Sequence, residues 1–492
     1  MKGKVTKENI LLLSGIIAFS IIISNAFLQM HYSSDTYCLM YRGYFDYPSY
    51  YFLLDARIIS TLICYLGGLL KLPYEVYIVS LDIIAVILLS ISVIIVYRFM
   101  EKQLKVEKTF NKILLLISVY VCIFNHMTVE YLLYPESAVM CLGILMIVLA
   151  TITYLTANKY RYLKTFLFVL IGTLCYQGIV NLLPVLVITS IFLKNKDNLT
   201  IKQTIKTYII EILKIGILFM VVMLISYVIS QIADSVIGDT SSRLRTNKSL
   251  KDIIYFSKDV VCDQFALMPK YLSVIVMGST IALLITYSKN KINMILYYIL
   301  IVFSAYVFTL LPVLAWGYVM SRMAMAVGSI MGISLIFVFT LIKDEQKQIG
   351  NTIIVFLIIS YFIFNSVNFI RNSNEHIAAN KVDENIGATI NTLVKNYEEK
   401  TGNTIKKFSY KYDPSPSKYA VGIKPLVSLT ERKFMQPWCV VEATCFYCNK
   451  HFEEVFKMPE EIYDKYFNGK DYNCFLEDQI VFEEDTIYMY IY

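Results

Sequence analysis

Apolar runs of about 18 to 24 residues, separated by short polar connections, recur through most of the chain, and such lengths cross a hydrocarbon layer about 30 Å thick as helices. The pattern predicts eleven spans: nine over residues 8–29, 75–97, 113–125, 137–157, 208–230, 270–287, 293–313, 324–342 and 352–370, and two more within 165–193. The last pair is inferred because Tyr176-Gln177-Gly178 and Asn181 interrupt the apolar stretch, with Pro184 just after. Residues 58–70 form a shorter apolar piece ending at Lys71-Leu72-Pro73, expected to lie in or re-enter the interface rather than cross upright.

Lys and Arg set the sidedness. They gather in alternate connections (Lys102, Lys105 and Lys108; Lys159, Arg161 and Lys164; Lys194 and Lys196; Lys289 and Lys291; Lys343 and Lys347), which the positive-inside rule assigns to the cytoplasm. The N-terminus is then cytoplasmic, and the connections 30–57 and 231–268 face outward as loops, as does everything after Arg371. Residues 8–29 follow Lys2, Lys4 and Lys7 in the manner of a signal peptide. Their length exceeds the usual about 7 to 15 apolar residues and no small-x-small cleavage site follows, so they are expected to be a retained helix.

Residues 372–492 differ in kind. They are charged, with a helical stretch at 382–400, a turn at Asp413-Pro414-Ser415-Pro416 and strand-like alternation near 479–492. About 120 residues suffice for a small mixed domain. The expected fold class is an all-α polytopic membrane domain, 1–371, carrying a small extracytoplasmic C-terminal α/β domain, 372–492, at the plasma membrane.

Composition agrees. Of 492 residues, 57% are hydrophobic and 17% charged, against about 25% charged in soluble domains, which leaves too little polar surface to cover a water-soluble body. The implied partner is the lipid bilayer. The net charge of +7 is explained by the cytoplasmic connections, so no nucleic acid is needed. Of ten cysteines, six are scattered through the membrane half while Cys439, Cys445, Cys448 and Cys474 cluster in the exported domain. Two disulfides, free thiols, and a zinc ion using Cys445-x-x-Cys448 all remain open.

Ionisable groups in or beside a bilayer are costly, and so mark function by default. The first outer connection holds Asp35, Arg42, Asp46, Asp55 and Arg57 among many tyrosines. A carboxylate directly after the first span can take the proton of a hydroxyl nucleophile; the plain alternative is a solvated loop with an aromatic belt. Glu130 and Tyr134, four residues apart, meet if they share a helical turn, and could bind sugar hydroxyls. Gln177 is comparable. Arg322, preceded by Trp316 and Tyr318, sits where a guanidinium can fork onto a phosphate, or merely anchor a lipid headgroup. Arg243, Arg245, Lys248, Lys251, Lys258 and Lys270 make the 231–268 connection and its edge basic, which suits an acidic, lipid-linked partner. No Walker loop, His-Glu-x-x-His, Gly-x-Ser-x-Gly or internal repeat is present.

The arrangement resembles the GT-C superfamily of membrane glycosyltransferases, most closely the GtrII-type bacterial glucosyltransferase family. The likeness rests on Ser33-Ser34-Asp35-Thr36-Tyr37, Leu54-Asp55-Ala56-Arg57, Cys175-Tyr176-Gln177-Gly178 and the ending from Asp478 to Thr486. It implies transfer of a sugar, a hexose such as glucose, from a polyprenyl-phosphate donor to a surface glycan acceptor on the outer face. Asp35 would orient or deprotonate the acceptor, with Asp55 a second candidate, and Arg57 or Arg322 would stabilise the departing phosphate. The family often pairs two acids where this chain has Ser34-Asp35, and reads Gly-Arg where this chain has Ala56-Arg57. No cofactor is certain; a divalent cation is possible. The competing readings are a polysaccharide or lipid-linked oligosaccharide transporter or polymerase, and a sensor or scaffold. A transporter should carry polar groups at mid-membrane on several helices, where Asp82, Glu211 and Lys214 are the exceptions in this chain.

Overall fold

The structure, a computed structural model, describes residues 7–156, 159–238, 250–316, 320–342, 348–412, 423, 426–455, 457–470, 472 and 475–491. Among them the chain runs through α1 (Lys7–Ile23), α2 (Ser34–Pro48), α3 (Ile58–Leu69), α4 (Tyr74–Leu104), α5 (Thr109–Ile123), α6 (Ser137–Leu155), α7 (Arg161–Cys175) and α8 (Leu182–Lys194). It continues through α9 (Ile201–Ile237), α10 (Leu250–Leu267), α11 (Lys270–Tyr287), α12 (Lys291–Trp316), α13 (Met325–Phe339) and α14 (Gln348–Thr401). The remainder is β1 (Lys407–Tyr412), α15 (Val440–Cys448), β2 (Glu453–Val455), α16 (Glu460–Tyr466), β3 (Ile480–Glu483) and β4 (Thr486–Ile491).

Among the described residues seven helices are long and apolar enough to cross a membrane: α4, α6, α8 with the turn before it, α9, α11, α12 and α14. An eighth results if α5 is counted with the turn His126–Leu132 beyond its 53° bend. The other expected spans form α1 (17 residues), α7 (15) and α13 (15), shorter than the roughly 20 residues a crossing takes. The sequence expectation of eleven is therefore not met by helix length. The reason shows at α13, where every residue is buried. An all-round apolar helix enclosed by other helices gives the same hydropathy as one facing lipid. Small residues permit that enclosure: a Cβ on Gly332 of α13 would stand 2.2 Å from the Cys122 backbone nitrogen of α5.

Two expected connections differ from the sequence reading, and a third agrees with it. Residues 30–57 are not an open loop but α2, kinked at Gly43 (φ 81°), followed by a π-turn at Ser49–Leu53. The 231–268 connection is mostly helix, since α9 runs to Ile237 and α10 occupies Leu250–Leu267; Arg243, Arg245 and Lys248 lie outside the described residues. The stretch 165–193 does break into two helices at Tyr176–Asn181, as the interruption predicted.

The boundary at 371/372 falls inside α14, whose 54 residues make a rod about 80 Å long at about 1.5 Å per residue. Beyond it, a four-stranded sheet in the order β2-β1-β4-β3 has β1 parallel to both neighbours and β3 antiparallel to β4, with Phe408 opposite Ile487 and Val481 opposite Tyr488. The expected strands near 479–492 are thus present; the turn at Asp413–Pro416 lies outside the described residues. The core of this sheet also takes in Ile386, Ile390 and Val394 of α14 and Tyr37 of α2. The C-terminal domain therefore packs on the segment that holds Asp35.

Candidate functional site

Local sequence places Asp35. The Ser33 hydroxyl accepts from the Thr36 backbone N–H at 3.2 Å, and the Thr36 hydroxyl accepts from the Ser33 N–H at 3.1 Å. This capping box starts α2 and sets Asp35 in its first turn, where the helix dipole favours a carboxylate. Asp55 and Arg57 follow the π-turn, with Ala56 between them held at φ 58°. That left-handed backbone suits glycine and is strained for alanine.

The two arginines are both buried, at 3% and 7% exposure for Arg57 and Arg322. Arg57 donates from Nη1 to Glu136 Oε1 at 3.4 Å, and its Nη2 lies 3.7 Å from Asp55 Oδ2. Arg322, in the short turn Ser321–Met323, donates from Nε to the Tyr176 hydroxyl at 3.1 Å. Its guanidinium lies 4.1 Å over the Tyr134 ring, while that of Arg57 lies 4.8 Å over Tyr176. One aromatic ring thus bridges two permanent positive charges. Gln177 donates to the Asp55 carbonyl and Tyr131 to the Arg322 carbonyl, which fixes both turns. Asn181 donates to the Met323 carbonyl and to Thr309 Oγ1.

Carboxylates surround this pair. Asp35 lies within Coulomb range of Arg322 and Glu136. Burial pushes the Glu136 carboxyl up to about 7; the charge of Asp35 adds to this, and Arg57 and Arg322 oppose it. Glu130 is fully buried near Arg322, and its carboxyl faces the Ser428 side chain. The C-terminal domain adds Glu431, which accepts from the Ser34 hydroxyl at 3.4 Å and is raised by burial, with Lys433 opposing.

Beside Asp55 lies a cavity of about 920 Å³ between α9 and α12. Asp55 and Gln177 line its polar end, and Ile212, Phe219, Met223, Phe303 and Leu311 are among its apolar walls.

Of the residues expected from sequence, Asp35, Asp55, Arg57, Glu130, Tyr134, Gln177 and Arg322 all converge here. Asp55, expected to be catalytic, lines the cavity and pairs with Arg57. Arg42 and Asp46, on α2, do not join this cluster; Arg42 stacks over Tyr51 at 5.6 Å. Sequence reasoning missed Glu136, Tyr176, Glu431 and Ser428. Glu136 stands two residues after Tyr134, and Tyr176 lies in the stretch Cys175–Gly178, so both were within reach; nothing in the sequence signals Glu431. Cys439, Cys445 and Cys448 are buried free thiols rather than disulfide partners, and Cys474 lies outside the described residues. Among the described residues no three His, Cys, Asp or Glu side chains converge closely enough to hold a metal ion. No known protein family matches the chain, and no curated protein matches it in sequence.

Proposed function

We propose that this chain is an integral membrane glycosyltransferase that moves a sugar from a polyprenyl-phosphate donor to a glycan acceptor outside the cytoplasm. The observation that carries the reading is a large apolar cavity whose polar end holds Asp55, which pairs with the first of two buried, aromatic-bridged arginines. An isoprenoid tail suits the cavity, and its phosphate suits the guanidiniums that lie beyond Asp55. Nothing about a solvated loop or a headgroup anchor calls for two arginines buried together.

In the proposed reaction the acceptor hydroxyl attacks the anomeric carbon. The new glycosidic bond forms as the bond from that carbon to the phosphate oxygen breaks, and the hydroxyl proton passes to Asp35. Polyprenyl phosphate leaves with its added charge facing Arg57 and Arg322. One displacement inverts the anomeric centre.

The test is transfer of radiolabelled hexose from polyprenyl phosphate to glycan by the purified chain in vesicles. Asp35→Asn should insert normally and lose about 100-fold or more in rate, the scale of a lost general base. An Asp35→Asn protein with full transfer would remove Asp35 from the mechanism. Movement of intact lipid-linked glycan without bond formation would favour a transporter instead.

A further inference from the structure

Asp82, in α4, is fully buried, a costly position for a carboxylate without partners. Its Oδ2 stands 3.2 Å from His31 Nε2, and His31 Nδ1 stands 3.2 Å from His376 Nε2. His376 Nδ1 stands 2.7 Å from the Leu429 carbonyl. Three side chains from α4, the residues ahead of α2, and α14 thus run in series to a backbone oxygen of the C-terminal domain. Both imidazoles are buried, and the Phe27 ring packs against each.

The hydrogens can be placed from the carbonyl end. A carbonyl only accepts, so His376 Nδ1 carries a hydrogen. Three contacts in series need three hydrogens, whereas an ionised Asp82 with two neutral imidazoles supplies two. In that state either the facing nitrogens of His31 and His376 are both bare, or His31 Nε2 turns a lone pair toward the carboxylate. One further proton satisfies every contact and leaves the group neutral as a whole. The other ionisable or polar groups facing it are Lys433 beside His376, with Cys141 and the Ser137 hydroxyl beside Asp82. The Lys433 ammonium opposes a second charge on His376, so the proton belongs between His31 and Asp82.

The carbonyl end matters because of its neighbours. Ser428 lies beside Glu130, and Glu431 lies within Coulomb range of Asp35 and Arg322. We propose that His376 is a positioning residue: through the Leu429 carbonyl it holds the strap 426–433 over Glu130 and Arg322, and one buried proton shared by Asp82, His31 and His376 keeps it there. Naming the strap as part of a reaction site rests on the transfer reading above. The tether does not, and its test reads no activity.

That test is backbone hydrogen exchange of the full chain in detergent micelles, followed in peptides covering 426–433 from acid to alkaline pH. In the native chain, loss of the proton should cost the strap about tenfold in protection beyond the intrinsic change in exchange rate, the scale of one hydrogen bond. Asp82→Asn supplies the third hydrogen from its own amide, because its N–H donates to His31 Nε2 while His31 Nδ1–H donates onward. Its strap should therefore stay protected across the range. His376→Asn gives an independent variant, whose amide reaches the Leu429 carbonyl without the proton and should also be flat. The proposal is overturned if native protection follows intrinsic exchange alone, or if the Asp82→Asn strap loosens in parallel with the native one. Should Asp82→Asn not fold, a His376→Asn protein that keeps the native pH dependence overturns it equally.

Discussion

Removing Asp383 should release the C-terminal domain from α14. Asp383 has no exposed surface, and its Oδ1 accepts two hydrogen bonds from Arg432, from Nε at 3.2 Å and Nη2 at 2.9 Å. Its Oδ2 accepts the Lys433 backbone N–H at 3.2 Å. Asp383→Ala leaves the Arg432 guanidinium buried opposite a void, and breaking a buried pair this way costs about 3–5 kcal/mol. Asp383→Asn keeps one acceptor oxygen for Arg432 but turns an NH2 group toward the Lys433 N–H, and should cost about 1.5–3 kcal/mol, the worth of a hydrogen bond to a charged group. A double variant, Asp383→Leu with Arg432→Met, removes both charges at similar volume and should recover most of the loss. Thermal unfolding of the full chain in micelles gives the order, and trypsin cleavage within 426–455 identifies the part that detaches. An Asp383→Ala protein that melts with the native chain, or a double variant as weak as the single, would refute the claim that this pair moors the domain.

Three further outcomes follow from the geometry. Arg322→Gln should lower sugar transfer by about 10²–10³, the loss typical of one electrostatic donor, in the vesicle assay described above. Glu136 is held protonated to about pH 7 in the fold against about 4.5 when unfolded, so its contribution to stability is complete below pH 4.5 and lost as pH rises toward 7. Melting at stepped pH should show about 3 kcal/mol of that loss in the native chain and none of it from this group in Glu136→Gln; identical slopes would contradict the assignment. Gly332→Ala forces a methyl onto the Cys122 backbone and should cost about 1–3 kcal/mol in the same melts.

Much of the site could be read from the chain because isolated charges in an apolar context are conspicuous. Glu130 and Arg322 stand out for that reason, Asp35 and Arg57 by their place directly beside the first apolar runs, and the fold gathers them. Glu431 was invisible because it sits in a domain where charge is ordinary; only tertiary packing brings it to Asp35. The segment 30–57 looked like a loop because its tyrosines and charges mask a helical period, although Ser33 and Thr36 carried the start signal of α2. Helix lengths failed where enclosure and lipid exposure give one hydropathy, as at α13. Asp82 was noticed as an exception among the spans, and its partners His31 and His376 lie 345 residues apart, beyond any spacing rule.

The unbroken rod of α14 makes its own length a gauge. At about 3.6 residues per turn, one inserted residue would swing everything beyond it by about 100° and carry Asp383 away from Arg432. Four inserted residues would nearly restore the bearing yet lift the sheet by about 6 Å, out of register with Tyr37. Growth or shrinkage of this helix between His376 and Asp383 is therefore barred on geometric grounds, and length variation must collect in the connections that carry no side chain to the arginines.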